Sequence, residues 1–209
     1  MNAFIKYFWI FMIGSSLGFI CETLWCIIKN KKIESRKGLI YGHYIPIYGI
    51  TGVLMTFFIE TFDVKNKVML FLITFAISSL VEYLSSYFQE KVFKTVSWDY
   101  SDMKYSVNGR INLIYSFMWG FLGIVWYQLY PILLNTILIF LRNFDMLMET
   151  TLIWGFYMSY NIIISAMASY RQRNRREGKI ANNVLDNWLD KKYNDQVLAK
   201  IYVNAKEVV

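Results

Sequence analysis

Five runs of the chain are apolar over lengths that can cross a bilayer as a helix: residues 7–28, 45–62, 68–89, 111–130 and 151–170. About 18 to 20 such residues suffice, and a helix satisfies its own backbone where no water is present to do so. Charged residues make up only 18% of the chain and apolar residues 56%, against about 25% charged in an ordinary water-soluble domain. With two prolines and two cysteines in 209 residues, a disordered, collagenous or disulfide-stapled chain is excluded. Cys21 and Cys26 lie inside one apolar run at a spacing that fits neither a redox motif nor a zinc site, so both are expected to be buried free thiols. The expected fold is an all-α, polytopic membrane helix bundle with five transmembrane helices.

The charges fix its orientation. With five spans, the 29–44 loop, the 90–110 loop and everything from Arg171 onward share one side, and together they hold 18 of the 22 Lys and Arg residues. The positive-inside rule then puts the N-terminus outside and the C-terminus in the cytoplasm. Residues 132–141 are also apolar, but Pro131 is expected to kink or end the fourth helix. They read as an outer extension or interfacial segment, because a sixth span would send the basic tail outward. The first run is too long for a cleavable signal and lacks a small-x-small site, so it is expected to persist as a span. Gly14 and Gly18 form a GxxxG within it, a spacing that permits close helix approach.

Function is sought among the groups that lipid penalises, since a carboxylate at mid-bilayer costs at least ~2.5 kcal/mol. Glu22 stands in the first run. Glu82 stands in the third, within Ser78, Ser79, Glu82, Ser85, Ser86 and Gln89, a polar stripe at helical spacing that must face other helices or water. At a rise of 1.5 Å per residue, both glutamates lie ~10–12 Å inside the cytoplasmic boundary. The second span starts at that face with His43 and Tyr48, and the fourth with Arg110, Asn112, Ser116 and Trp119. Glu90 and Asp99 belong to the same layer.

Three readings of the layer compete. In a structural one, Arg110 pairs with a glutamate and the serines hold the helices in register. In a binding or translocation reading, the glutamates face an inward-open cavity, hold a cation or polar substrate, and are balanced by Arg110. In a catalytic one, Glu22, Glu82, Arg110 and Asp99 act on a lipid or amphiphile at the inner leaflet. The binding reading takes Glu22, His43, Tyr48, Glu82, Ser86, Glu90, Asp99, Arg110, Asn112 and Trp119 as the substrate site, and it is preferred over an enzyme. As a lone interfacial histidine, His43 reads more readily as a bystander, Asp99 equally as a turn cap, and Trp98 and Trp126 as headgroup anchors.

Glu22-Thr23, Leu39-Ile40-Tyr41-Gly42, Ile45-Pro46-Ile47-Tyr48-Gly49, Glu82-Tyr83-Leu84-Ser85-Ser86-Tyr87 with Glu90, Trp98-Asp99-Tyr100-Ser101, Asn108-Gly109-Arg110 and Ser116-Phe117-Met118-Trp119-Gly120 occur in this order. In these motifs the chain resembles the bacterial membrane family named Putative ABC-transporter type IV, or CmpB-like, over roughly residues 10–125. It departs from the family's pattern at His43 and in 94–97. The resemblance implies a multi-pass protein of the cytoplasmic membrane that is a transporter component. The chain has no Gly-x4-Gly-Lys-Ser/Thr, so ATP would be bound by a separate ATPase. No HExxH, Gly-x-Ser-x-Gly or Cys/His cluster is present, and neither metal nor cofactor is expected.

Residues 1–170 thus read as the transmembrane domain and 171–209 as a basic cytoplasmic tail. Arg171, Arg173, Arg175 and Arg176 would meet anionic membrane lipids or simply fix topology. From Ile180 to Tyr202 apolar residues recur at helical spacing, as in an amphipathic tail helix lying on the membrane or docking a cytoplasmic partner. The tail's modest basic excess gives no nucleic-acid reading, and a homo-oligomer is compatible with the pattern.

Overall fold

The computed structural model describes residues 2–208. Five helices run up and down as a bundle: α1 (Ala3–Asn30), α2 (Pro46–Thr61), α3 (Lys67–Phe93), α4 (Leu113–Asn143) and α5 (Leu147–Arg176). Two short helices follow, α6 (Val184–Lys192) and α7 (Asp195–Ile201). Two small antiparallel ladders complete the fold, β1 (Thr95–Val96) with β4 (Lys206–Glu207) and β2 (Ser106–Val107) with β3 (Ile111–Asn112). Asparagine starts most of the helices: the side chains of Asn2, Asn66, Asn112, Asn183 and Asn194 each accept from a first-turn N–H, supplying a partner that the helix itself cannot. α2 instead opens on Pro46, whose missing N–H costs nothing there.

Four helices, α1, α3, α4 and α5, are long and apolar enough to cross a membrane, and the chain is a multi-pass membrane protein. The expected span at 45–62 becomes α2, apolar but only 16 residues long. The helices alternate in direction. The short turns at 62–66 and 144–146 lie at one end of the bundle. The loops 31–45 and 94–112 and the tail share the other, where Ser35 Oγ donates to the Ile201 carbonyl and Arg173 to that of Val92. The main core fills the bundle toward the short-turn end, with Trp9, Ile10, Met55, Ile59, Leu70, Trp126 and Leu138. Trp9 Nε1 donates there to Thr151 Oγ1 at 3.0 Å, and Glu60 takes an ion pair from Lys6 and a hydrogen bond from Tyr130.

Several expectations are corrected. Pro131 does not end the fourth helix: α4 continues to Asn143. A proline inside a helix costs about 3 kcal/mol. Tyr130, Leu134, Leu138 and Leu141 are buried at helical spacing on both sides of it, and close packing against neighbouring helices, which drives helix association in lipid, carries α4 through the proline. Cys21 is exposed while Cys26 is buried, because Cys21 shares the outward stripe of α1 with Ile20, Leu24 and Ile28. Trp126 is buried and donates to Thr56 Oγ1 at 2.9 Å rather than anchoring at a surface.

The tail is two short helices rather than one. Tyr193 ends α6 and packs with Leu189, Leu198, Ile40, Ile164 and Ala168 in a second core, while Asn194 restarts the chain as α7. The arginine run is the last turn of α5, and it holds acids of the tail. Arg171, 3% exposed, donates to both oxygens of Asp190 at 2.9 and 2.8 Å. Arg175 bonds Asp190 and Asp195, Arg173 bonds Glu177, and Arg176 pairs with Glu207.

Burial raises the Asp190 carboxyl, but the hydrogen bonds from Arg171 and Arg175 outweigh it and hold the group below its ordinary value. Lys179, then Arg173, pull Glu177 down to about 2. A lowered native pKa contributes stability above the unfolded carboxylate range and loses it as pH falls toward the native value. Tail docking should therefore hold above about pH 4.5 and weaken progressively below it. Hydrogen exchange at the α6 amides, corrected for its intrinsic pH dependence, measures this. Protection unchanged between pH 6 and pH 3 would count against the pairing.

Candidate functional site

The two intramembrane glutamates sit where the long and short helices go out of step. α1 runs on for ~12 Å past Glu22 and α3 for ~16 Å past Glu82, whereas α2 and α4 begin beside them. Tyr48, in the first turn of α2, donates to Glu22 Oε1 at 2.7 Å. Trp119, two turns into α4, donates through Nε1 to Glu82 Oε2 at 3.1 Å. The overhang of α3 is covered by the 94–112 loop, which folds back along it. Gln89 donates to Ser97 Oγ at 2.8 Å, and higher up Tyr100 donates to Glu82 Oε1 at 3.0 Å.

Small residues allow this closeness. A Cβ on Gly18 would lie 2.3 Å from the Tyr48 ring, so only glycine lets that ring lie against α1. The polar stripe of α3 faces inward: Ser78, Glu82 and Ser86 are buried, and Ser79 Oγ donates to Ser116 Oγ at 2.7 Å. On the opposite side Leu80, Leu84 and Phe88 are exposed, as the amphipathic spacing requires.

Aromatic rings close the arrangement into a circuit. Tyr48 meets Trp119 with centroids 4.7 Å apart, Tyr100 stacks on Tyr115 at 4.8 Å, and Tyr115 meets Trp25 edge-on at 6.4 Å. Trp25 lies one turn from Glu22 on α1, which returns the circuit to its start. Among the described residues neither Glu22 nor Glu82 has a Lys, Arg or His within ion-pair distance. Their partners are neutral hydroxyl and indole donors. Burial, then the neighbouring Glu82, raises the Tyr100 hydroxyl pKa, so that group stays a donor.

Arg110 belongs to a second, adjoining set. It ion-pairs with Glu90 rather than with either intramembrane glutamate, and its guanidinium lies over the rings of Tyr83 and Tyr87 at 5.6 and 5.4 Å. Trp98 Nε1 donates to the Arg110 carbonyl at 2.9 Å. Asp99 accepts from Ser101 Oγ and N in a turn, and those bonds favour its charged form and hold its pKa below the ordinary value. Between these residues and Ser86 is a recess of about 160 Å³. It lies one turn from Glu82 toward the loop end. Glu82 itself is 5% exposed, closed in by Tyr100 and Trp119.

The predicted site thus divides. Glu22, Tyr48, Glu82 and Trp119 form one group, and Ser86, Glu90, Asp99 and Arg110 line the recess next to it. His43 is exposed and its ring meets that of Phe19, one turn before Glu22, at a tilt with centroids 4.7 Å apart. Asn112 is fully buried, bonding the Lys104 carbonyl and capping α4. Sequence reasoning missed Tyr100, because a loop tyrosine reads as solvated and nothing local reveals that its loop folds back, and with it Tyr115 in the first turn of α4, whose partner is that loop residue. It also missed Asn161. This fully buried side chain accepts from Tyr41 N at 3.1 Å and donates to Tyr41 O at 2.7 Å, and Ser165 Oγ accepts from Ile40 N at 2.9 Å. A polar amide inside an apolar run was the available signal.

A family model described as Putative ABC-transporter type IV matches residues 9–166, about three-quarters of the chain. No curated protein and no solved structure matches it.

Proposed function

The chain belongs to the Putative ABC-transporter type IV family, and from that premise we propose that it is the membrane component of a transport system whose ATP is bound by a separate ATPase. In this reading α2 is the fifth span, packed chiefly between α1 and α3. Residues 1–170 form the transmembrane unit, with the N-terminus outside, and 171–209 form a tail on the cytoplasmic side of the cell membrane. The distribution of Lys and Arg supports that orientation.

The site takes a cation with an apolar body. One observation carries this: among the described residues, the buried Glu82 and the half-buried Glu22 accept from neutral donors with no cation at ion-pair distance, and aromatic faces ring them. An uncompensated carboxylate in a low-dielectric interior is costly, and a cation that enters supplies the missing charge. Tryptophan and tyrosine faces add attraction of ~0.5–2 kcal/mol each where water is excluded. Arg110, engaged by Glu90, does not compete for that charge. The same engagement weakens the enzymatic reading, which needs its guanidinium free to clamp a substrate anion.

The test uses purified full-length protein and a hydrophobic quaternary ammonium probe, followed by quenching of tryptophan fluorescence. Glu82→Gln keeps the size and removes the charge; its remaining oxygen still accepts from Trp119, and the Tyr100 hydroxyl can turn to accept from the new amide N–H. The substitution is expected to weaken binding about tenfold, equivalent to ~1.4 kcal/mol, with an unchanged melting temperature. Equal binding by wild type and Glu82→Gln sinks the proposal. Should Glu82→Gln and Glu22→Gln only lower the yield of folded protein, the carboxylates are structural.

A further inference from the structure

The end of the tail returns to the loop that carries Tyr100. β4 pairs with β1, Thr95 opposite Glu207 and Val96 opposite Lys206, and Val208 N donates to the Lys94 carbonyl at 3.1 Å. Glu207 is ion-paired with Arg176 at the end of α5, 2.9 Å away. The side chain of Ser35 donates to Ile201 O at 2.9 Å, so the same segment is also tied to the first loop. Val208 forms part of the wall of the recess beside Ser86, Glu90 and Arg110. Four residues after β1, the loop delivers the Tyr100 hydroxyl to Glu82.

We propose that residues 202–208 are a latch on the carboxylate site: with β4 paired, the 94–112 loop keeps Tyr100 on Glu82, and when β4 leaves, the loop swings out and opens Glu82 to the loop face. The inference rests on Glu82 being a site, and it concerns what closes that site. The device suits the task physically. A two-residue ladder is too short to persist alone, so it depends on the Arg176–Glu207 pair and on the Val208 bond. Losing those few contacts shifts the population between closed and open without unfolding the bundle. The far end of the loop stays fixed, where Arg110 pairs with Glu90 and Asn112 caps α4, so it is the segment from β1 to Tyr100 that pivots on that anchor. Release also bares the outer edge of β1, and an unpaired edge readily takes another strand.

Accessibility tests this directly in the full-length protein. A water-soluble carbodiimide modifies Glu82 and Glu22, and peptide mass spectrometry follows each rate. Lys206→Pro combined with Glu207→Arg removes the ladder and reverses the ion pair. Glu82 modification is expected to rise about tenfold, while Glu22 changes little. Thr95→Cys with Glu207→Cys locks the ladder by a disulfide. Modification of Glu82 should then fall below the wild-type rate and recover on reduction. If Glu82 reacts at the same rate locked, reduced and released, the latch is wrong. Should release accelerate both glutamates alike, the bundle has loosened as a whole, and an unchanged rate in the locked form then overturns the proposal. No substrate is involved, so failure of cation binding and failure of the latch are separate results.

Discussion

Replacing Gly49 by valine is expected to cost the bundle about 3 kcal/mol or more, the upper range for overpacking. At this position α2 touches α1 backbone to backbone. A Cβ there would lie 2.2 Å from Ser15 Oγ and 2.6 Å from the Phe11 carbonyl, and a Cβ on the facing Gly14 would lie 2.9 Å from Tyr48 O. Backbone cannot rotate away as a side chain can, so the helices must separate. Separation withdraws Tyr48 from Glu22 as well, and the damage reaches the site. A melting temperature lower by roughly 5–10 °C is expected in detergent, from ~2–4 °C per kcal/mol at this chain length. Gly155→Ala is the control: its Cβ meets nothing within 4 Å, and the better helix former should leave α5 unharmed or slightly stabilised. Equal tolerance at the two positions would refute the close crossing.

The second large effect is expected at Asn161. Leucine has a similar size, but it would leave both the N–H and the carbonyl of Tyr41 without partners beneath the 31–45 loop. A buried unpaired group costs about 1–3 kcal/mol, so the pair predicts a loss of roughly 2–6 kcal/mol. Loss should begin locally, as faster hydrogen exchange at residues 39–42, before the bundle melts. Asn161→Leu with protection of that loop intact would show that Ser165, bonded to Ile40 N, holds the segment unaided.

The contrast between Glu82 and Asn161 shows which residues a sequence reveals. Glu82 was legible because an acid in an apolar run stands out, and the stripe around it has the period of a helix. Asn161 carries no charge, and its partners lie 120 residues away. Rise and parity put Arg110 at the height of the acids, and it does pair with one of them, Glu90. Its choice of Glu90 over Glu82 was not readable, since both acids are at similar height and only the path of the loop decides between them. Pro131 gave a local signal that was correct in sign but small beside the packing on either side of it.

What the sequence determined by itself is what depends on one dimension. Lipid tests each segment for apolar length and for backbone bonds closed within the segment, so the helices, their alternation and the height of the acids along them follow from order and spacing. Which groups touch was left to the tertiary structure. Pairings such as Tyr100 with Glu82, Arg171 with Asp190 and β4 with β1 differ from their alternatives by only a kcal/mol or two. Those margins are set by where distant segments come to rest once the helices have packed.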